Sequence, residues 1–460
     1  MEDNAIVMLP SPLVGHMTSA IEFANVILTR RPSLSIHILL APFPATGATS
    51  SISSSSPSIQ FHHLPTNFVP PNVTFNRRET LIFHIIRQSH PHIHHYLLDL
   101  SRRRTIRAFI IDFFCTCAAE VASELGIPTY FYFTSPAGCL CFFAYLSTLH
   151  RSNTHSNTAH VCIPGISPLS PRDFPVPLQD RNDEAYPYLL EFSETIPKCA
   201  GVLVNTFEAL EAEAIRTFKS GQCIPNNTTP PLYCTGPLLN TIENSSQEHD
   251  CIKWLASRPD KSVIYLSFGS LGVFTNEQIM EIAVGLEKSG ESFLWVVRNP
   301  PSNEDVDTAL PEGFKERTKE RGFLVKKWAP QMEVLKHAAI GGFVTHCGWN
   351  SVLEAVCVGV PMVAWPLYAE QRLNRLLLLG VGIAISMEED ENGFVRREEV
   401  EKKVKEIMEG AARESIRQSC GAIRVAALNA LAPGGSSFSD FGDFCDHLPP
   451  LISQSPLPIT

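Results

Sequence analysis

The chain has 460 residues, 44% hydrophobic and 18% charged, with 26 Gly and 35 Pro; that length exceeds what one hydrophobic core organises, and that balance excludes a small stapled scaffold, collagen and extensive disorder. Its net charge of −10 comes without any long basic block, so the electrostatic footprint of a nucleic-acid binder is missing. The 13 cysteines are odd in number and scattered, and Cys115, Cys117, Cys139 and Cys141 sit inside apolar runs, the pattern of reduced, buried thiols rather than a disulfide framework.

The N-terminus, Met-Glu-Asp-Asn, is acidic where a secretion signal needs basic charge. Residues 5–9 read as a buried strand, 10–15 as a loop and 17–30 as a helix with apolar residues at helical spacing. The strand signal returns at 35–40, 108–112, 129–133 and 201–205 with helix-length stretches between, an alternation that predicts a parallel α/β sheet. A polar stretch at 240–250, following the turn-rich Cys234-Thr235-Gly236-Pro237, is the expected linker between an N-terminal domain over 1–239 and a C-terminal domain over 251–440. A second strand series then runs through 262–268, 292–297, 322–326, 341–345 and 361–364, so two doubly wound halves are predicted. The Ser-rich run 49–58 and the stretch 151–160 read as surface loops, and 441–460 as a C-terminal tail ending in a Pro-rich segment. The longest apolar run, 376–385, is about half of what a membrane-spanning helix requires. A cytoplasmic chain without stable membrane insertion is the expectation.

Ligands of open α/β sheets bind outside the carboxyl ends of the strands, and several polar residues stand there. His16 opens the first helix, whose dipole favours a neutral imidazole, and Asp112 ends another strand of the same half; together they would make a general base, or each would merely cap a helix. In the second half the strand 341–345 runs into His346-Cys347-Gly348-Trp349-Asn350-Ser351 and a helix, which gathers backbone amides and polar side chains suited to a diphosphate. The turn Gly269-Ser270-Leu271-Gly272 adds a second set of amides, yet the G-x-G-x-x-G fingerprint of a dehydrogenase is missing. Two patterns invite a metal reading, Asp305-Val306-Asp307 and the run from His90 to His95. A solvated loop and a helix start explain them better, so no metal site is assigned.

The 44 residues from Trp328 to Gln371, WAPQMEVLKHAAIGGFVTHCGWNSVLEAVCVGVPMVAWPLYAEQ, resemble the signature box of the plant secondary-product UDP-glycosyltransferases. The likeness extends to 11–16, 109–115, 294–297 and 434–437, and the N-terminal third is similar to members acting on flavonoids and chalcones. It implies the GT-B architecture, two facing doubly wound Rossmann-like domains with parallel sheets, the acceptor held by the first and a UDP-sugar by the second, with the tail crossing back to the first. Carried onto this chain, the resemblance gives Trp328 and Gln331 to the uracil and uridine and Glu354 to the ribose hydroxyls. It gives His346, Asn350, Ser351 and Ser270 to the phosphates, and Trp349, Glu370, Gln371 and Thr134 to the sugar. His16 and Asp112 match the family's catalytic pair.

The implied reaction is inverting transfer of glucose from UDP-glucose to a phenolic hydroxyl, giving a β-O-glucoside with His16 as base and no cofactor or metal. Trp349 and Gln371 stand where glucuronate and galactose users differ, which points to glucose. The implied partners are a phenolic acceptor and the UDP-sugar, on a monomer. The rivals are C-glucosylation of a polyphenol ring carbon, which differs only in acceptor orientation, and a catalytically silent phenol- or UDP-sugar-binding protein. Two departures from the family pattern concern packing: 376–380 lacks acidic residues, and Pro433 precedes the Gly434-Gly435-Ser436-Ser437 run.

Overall fold

Apolar runs without alternation become strands covered on both faces, as parallel sheets demand. The computed structural model describes residues 4–43, 56–65, 77–152, 160–239, 249–301, 305–326 and 328–448. Its first sheet contains β1 (Asn4–Leu9), β2 (Ser35–Leu40), β3 (Ile59–His63), β4 (Thr105–Asp112), β5 (Thr129–Phe133), β6 (Gly201–Val204) and β7 (Leu232–Cys234). All neighbours are parallel, in the order β3-β2-β1-β4-β5-β6-β7. The chain therefore winds outward from β1, then returns to lay β4 on the other side of it. Where the winding reverses, the connections leave β1 and β4 in opposite directions and open a crevice at their carboxyl ends.

The second sheet repeats the scheme. It comprises β8 (Val263–Ser267), β9 (Ser292–Val296), β10 (Gly322–Val325), β11 (Ile340–Thr345), β12 (Met362–Ala364) and β13 (Ala384–Ser386), parallel throughout in the order β10-β9-β8-β11-β12-β13. Its reversal lies between β8 and β11. Both halves thus have the doubly wound parallel fold expected of them.

By their contacts the residues form two compact units, Met1–Pro171 with Pro177–Asn240 and Ala430–Thr460, and Arg172–Val176 with Thr241–Asn429. The division departs from simple chain order at two places, and each has a physical cause. In the second unit, Asp173 meets the Arg375 guanidinium at 3.3 Å, an ion pair with both side chains largely buried. In the first unit, the helix Ser436–His447 buries Phe441, Phe444 and Cys445 against Phe23, Tyr130 and Tyr233. Its Asp440 also accepts a hydrogen bond from the Cys234 amide at 2.9 Å. Residues 436–447 are therefore an ordered helix, where the sequence had read a tail beginning at 441.

Strand positions agree with the sequence reading to within a few residues, but β3, β7 and β13 were not foreseen. The apolar run 376–385 resolves into the end of the helix Gln371–Val381, a turn at Gly382 and β13. Most of the expected linker, of the two loops and of the Pro-rich tail lie outside the described residues. Among the described residues no helix is long and apolar enough to cross a membrane.

Candidate functional site

At the reversal point of the first sheet, β1 ends at Leu9 and a short loop leads into the helix Val14–Arg30, whose first turn carries His16. On the neighbouring strand Asp112 is the last residue of β4 and starts a 3-10 turn over Phe113–Cys115. Its Oδ1 accepts from the Phe114 amide at 3.0 Å, which leaves Oδ2 to meet His16 Nδ1 at 2.7 Å. The carboxylate is 3% exposed and the imidazole 20%, so the acid lies behind the base and the ring reaches the crevice. Phe113 and Phe114 flank the ring, with centroids 6.1 and 5.6 Å away. With Nδ1 bonded to a carboxylate, a neutral ring keeps its proton there and carries its basic lone pair on Nε2. Thr134, placed by resemblance toward the sugar, directs Oγ1 to 3.0 Å from the same Nδ1.

The reversal point of the second sheet is built around His346. The ring is 5% exposed and passes between Gly269, after β8, and Gly348, after β11; a Cβ added at either glycine would stand 2.4 Å from Nε2. Burial pushes its pKa from 6.5 to about 4, so the imidazole is neutral at pH 7, and among the described residues Nδ1 has no hydrogen-bond partner. Cys347 follows in a left-handed conformation at φ 64°, and Gly348 opens the helix Trp349–Val358 without a side-chain cap. That helix start, with Asn350 and Ser351 in its first turn and Ser270 on the facing turn, turns the positive end of the helix dipole and its first amides toward one spot, an arrangement suited to an anion.

Two further clusters extend from this point. Gln331 Nε2 donates to Ser351 Oγ at 2.9 Å and to Glu354 Oε2 at 2.6 Å, and burial raises the Glu354 pKa against the pull of the Gln331 bond. Trp328 is 48% exposed, its ring 5.3 Å from that of His249, a large apolar face offered outward. On the other side Gln371 is 2% exposed and its Oε1 accepts from the Leu367 and Tyr368 amides at 2.8 and 3.0 Å, which leaves its NH2 as a donor. Trp349 is buried at the helix start, and Glu370 stands at the N-cap position of the helix that begins with Gln371, without a side-chain capping bond.

The sequence reading did not single out Asn374. It is fully buried; its Nδ2 donates to the Cys347 carbonyl at 2.8 Å and approaches Glu370 Oε1 at 3.4 Å. Both neighbours are acceptors, so only the NH2 group can face them. Asn374 thus ties the left-handed residue behind His346 to the helix of Glu370 and Gln371. Asn374→Leu leaves that carbonyl unsatisfied and is expected to cost about 1–3 kcal/mol in urea unfolding.

The tempting metal motifs resolve otherwise. Lys326 Nζ lies 3.0 Å from Asp305 and 2.7 Å from Asp307, and Lys315 also pairs with Asp307, so ammonium groups occupy the space of a cation. His90 begins the helix His90–Ser101, the helix start expected. Among the described residues no group of three or more His, Cys, Asp or Glu could hold a metal ion.

The depressed His346 has a consequence for stability. Between about pH 4 and 6.5 the unfolded chain binds a proton at this position that the folded one refuses, so stability is highest above that window and falls as pH drops through it. His62 and His90 are lowered by burial as well and act in the same sense. The full loss from His346, on the order of 3 kcal/mol, is reached only below about pH 4; about 2 kcal/mol of it is expected between about pH 7 and pH 5, read as a fall in the urea midpoint that is smaller in His346→Asn.

Residues 191–418 match the family model described as UDP-glucoronosyl and UDP-glucosyl transferase. Anthocyanidin 5,3-O-glucosyltransferase from a Rosa hybrid cultivar is 41% identical over 464 residues, spanning 95% of this chain and 97% of its own. Phloretin 2'-O-glucosyltransferase from Pyrus communis is 40% identical over 483 residues, spanning 97% and 99%. Among solved structures, Phytolacca americana UGT2 complexed with UDP-2fluoro-glucose and pterostilbene superposes with a TM-score of 0.87 at 37% identity, over 97% of this chain and 99% of that one.

Proposed function

This chain belongs to the UDP-glucoronosyl and UDP-glucosyl transferase family, and from that premise we propose that it moves glucose from UDP-glucose to a phenolic hydroxyl of a flavonoid, chalcone or related plant metabolite. It is a glycosyltransferase of the plant type, in the GT-B class of two parallel-sheet α/β domains. The acceptor class is carried over from relatives named for an anthocyanidin and for phloretin, and from the pterostilbene bound to the solved relative; all three are phenols.

The observation that carries the mechanism is the 2.7 Å contact between His16 Nδ1 and the buried Asp112 carboxylate. In the proposed step His16 Nε2 takes the phenol proton while the phenol oxygen bonds to the anomeric carbon. The bond from that carbon to the diphosphate breaks in line, the electron pair leaves with UDP, and an α-linked donor becomes a β-glucoside. The proton stays on the imidazolium, which Asp112 stabilises. Charge on the departing diphosphate is met by the amides at the start of the helix Trp349–Val358, by Asn350, Ser351 and Ser270, and by a neutral His346 acting as an N–H donor.

For the donor, Trp328 would stack on the uracil and the Gln331–Glu354 pair would take the uridine, Glu354 accepting from the ribose hydroxyls. Trp349, Glu370 and Gln371 would read the sugar. Mass spectrometry of the purified protein with UDP-glucose and a panel of flavonoids, chalcones and simple phenols tests the whole reading, followed by mild acid hydrolysis. The expected product gains one hexose that acid removes. An acid-resistant hexose, or no transfer to any phenol despite UDP-glucose binding, overturns it.

A further inference from the structure

We propose that Thr134 is a positioning residue for the base, a third member of the His16–Asp112 pair that fixes the direction in which Nε2 points. The proposal rests on the reading of His16 as base given above, and it differs from the sugar contact that resemblance implies for Thr134. Its physical basis is the way one strand grips one helix.

β4 and β5 pair in parallel with Asp112 opposite Tyr132. Thr134 is the first residue after β5, and its contact with His16 puts its side chain toward the same helix that Tyr132 meets. Tyr132 identifies the face of that helix: its hydroxyl meets Ser19 Oγ at 2.8 Å, and its ring stacks on Phe23 with centroids 4.7 Å apart and planes 7° from parallel. Ser19 and Phe23 lie on the helix Val14–Arg30 at positions three and seven after His16, the spacing of one helical face. The strand end and the residue after it thus mesh with one face of the helix, Tyr132 on Ser19 and Phe23, and Thr134 on His16.

At the end of this row the Thr134 hydroxyl, on a residue 7% exposed, stands 3.0 Å from His16 Nδ1, beside the Asp112 oxygen at 2.7 Å. A carboxylate at the shorter distance holds the Nδ1 proton, and the threonine oxygen takes a second, weaker share of it. One hydrogen bond leaves the ring able to rock about the line from its Cβ to the carboxylate. A second contact at the same nitrogen, from the residue that follows β5, narrows that motion. Since Nε2 is rigidly opposite Nδ1, the hydroxyl fixes the approach of the base to the acceptor proton, where a small misplacement lowers the rate steeply.

The test is a steady-state comparison at saturating phenol and UDP-glucose, with thermal unfolding as a check on folding. Thr134→Val, which keeps the shape and removes the hydroxyl, is expected to lower kcat about tenfold and to leave KM for UDP-glucose within about twofold. Thr134→Ser, which restores the oxygen, is expected within about threefold of the parent and serves as the test of its own should the valine variant fail to fold: a serine variant that folds yet loses about tenfold or more in kcat overturns the proposal. In a His16→Ala background Thr134→Val is expected to change the residual turnover no further, because its effect runs through the imidazole. The proposal is overturned if Thr134→Val lowers turnover by the same factor with and without His16, or raises KM for UDP-glucose with kcat unchanged. Failure of the base reading itself looks different: His16→Ala alone would then turn over phenol like the parent.

Discussion

His16→Ala is expected to lower phenol turnover by at least about a hundredfold while leaving UDP-glucose affinity within about twofold, the yield of a general base removed from a site whose donor half is untouched. The asymmetry follows from where the residues sit. His16, Asp112 and Thr134 belong to the crevice of the first sheet, whereas His346, Ser351 and Glu354 belong to that of the second. The loss also depends on the acceptor. A phenol with a pKa near about 10 stays protonated at neutral pH and needs the base, whereas one several units more acidic arrives as its own phenolate. The deficit of His16→Ala is therefore expected to shrink with nitrated or halogenated phenols and on raising the pH. Turnover of a simple flavonol by the variant at the parent's rate, or a deficit of equal size for every phenol, would sink the assignment.

How far such a site is legible in the sequence depends on what carries each residue. Central strands such as β1 and β5 show plainly as apolar runs, because a strand buried on both faces cannot alternate. β3 does not show, since its sequence Ile-Gln-Phe-His-His ends in imidazoles at a sheet edge, and β7 and β13 are three residues each, too short for any periodicity. His16 and Asp112 stood out in the sequence because one opens the helix after a strand and the other ends a strand, places the fold class marks in advance. Thr134 and Asn374 could be noticed but their contacts could not. Thr134 meets a residue 118 positions away and Asn374 a carbonyl 27 positions away, separations that only the sheet order closes. The helix Ser436–His447 is a different case. Phe438, Phe441, Phe444, Cys445 and Leu448 recur at helical spacing, a signal present in the sequence that the Pro-rich composition just beyond it obscured.

The glycines around His346 set the other large effect. Gly269→Ala is expected to abolish measurable binding of UDP, and Gly348→Ala to weaken it at least about tenfold. At either position the new methyl would lie 2.4 Å from Nε2, far inside contact distance, so the imidazole or one of the two turns has to move. The ring cannot simply swing outward, because it is buried where Asn374 holds the Cys347 carbonyl and Gly348 begins the helix. Gly269 is the worse site, since its φ of 71° adds a left-handed penalty of about 1–2 kcal/mol for alanine, whereas Gly348 at φ −62° carries no such cost. The ranking separates this account from a general loss of stability: a crowded imidazole predicts damage at both positions with Gly269 first. Titration calorimetry with UDP, alongside thermal unfolding of each variant, reads it directly. Wild-type affinity in Gly269→Ala would show that His346 does not need the gap between the two turns, and with it the assignment of His346 to the diphosphate would fall.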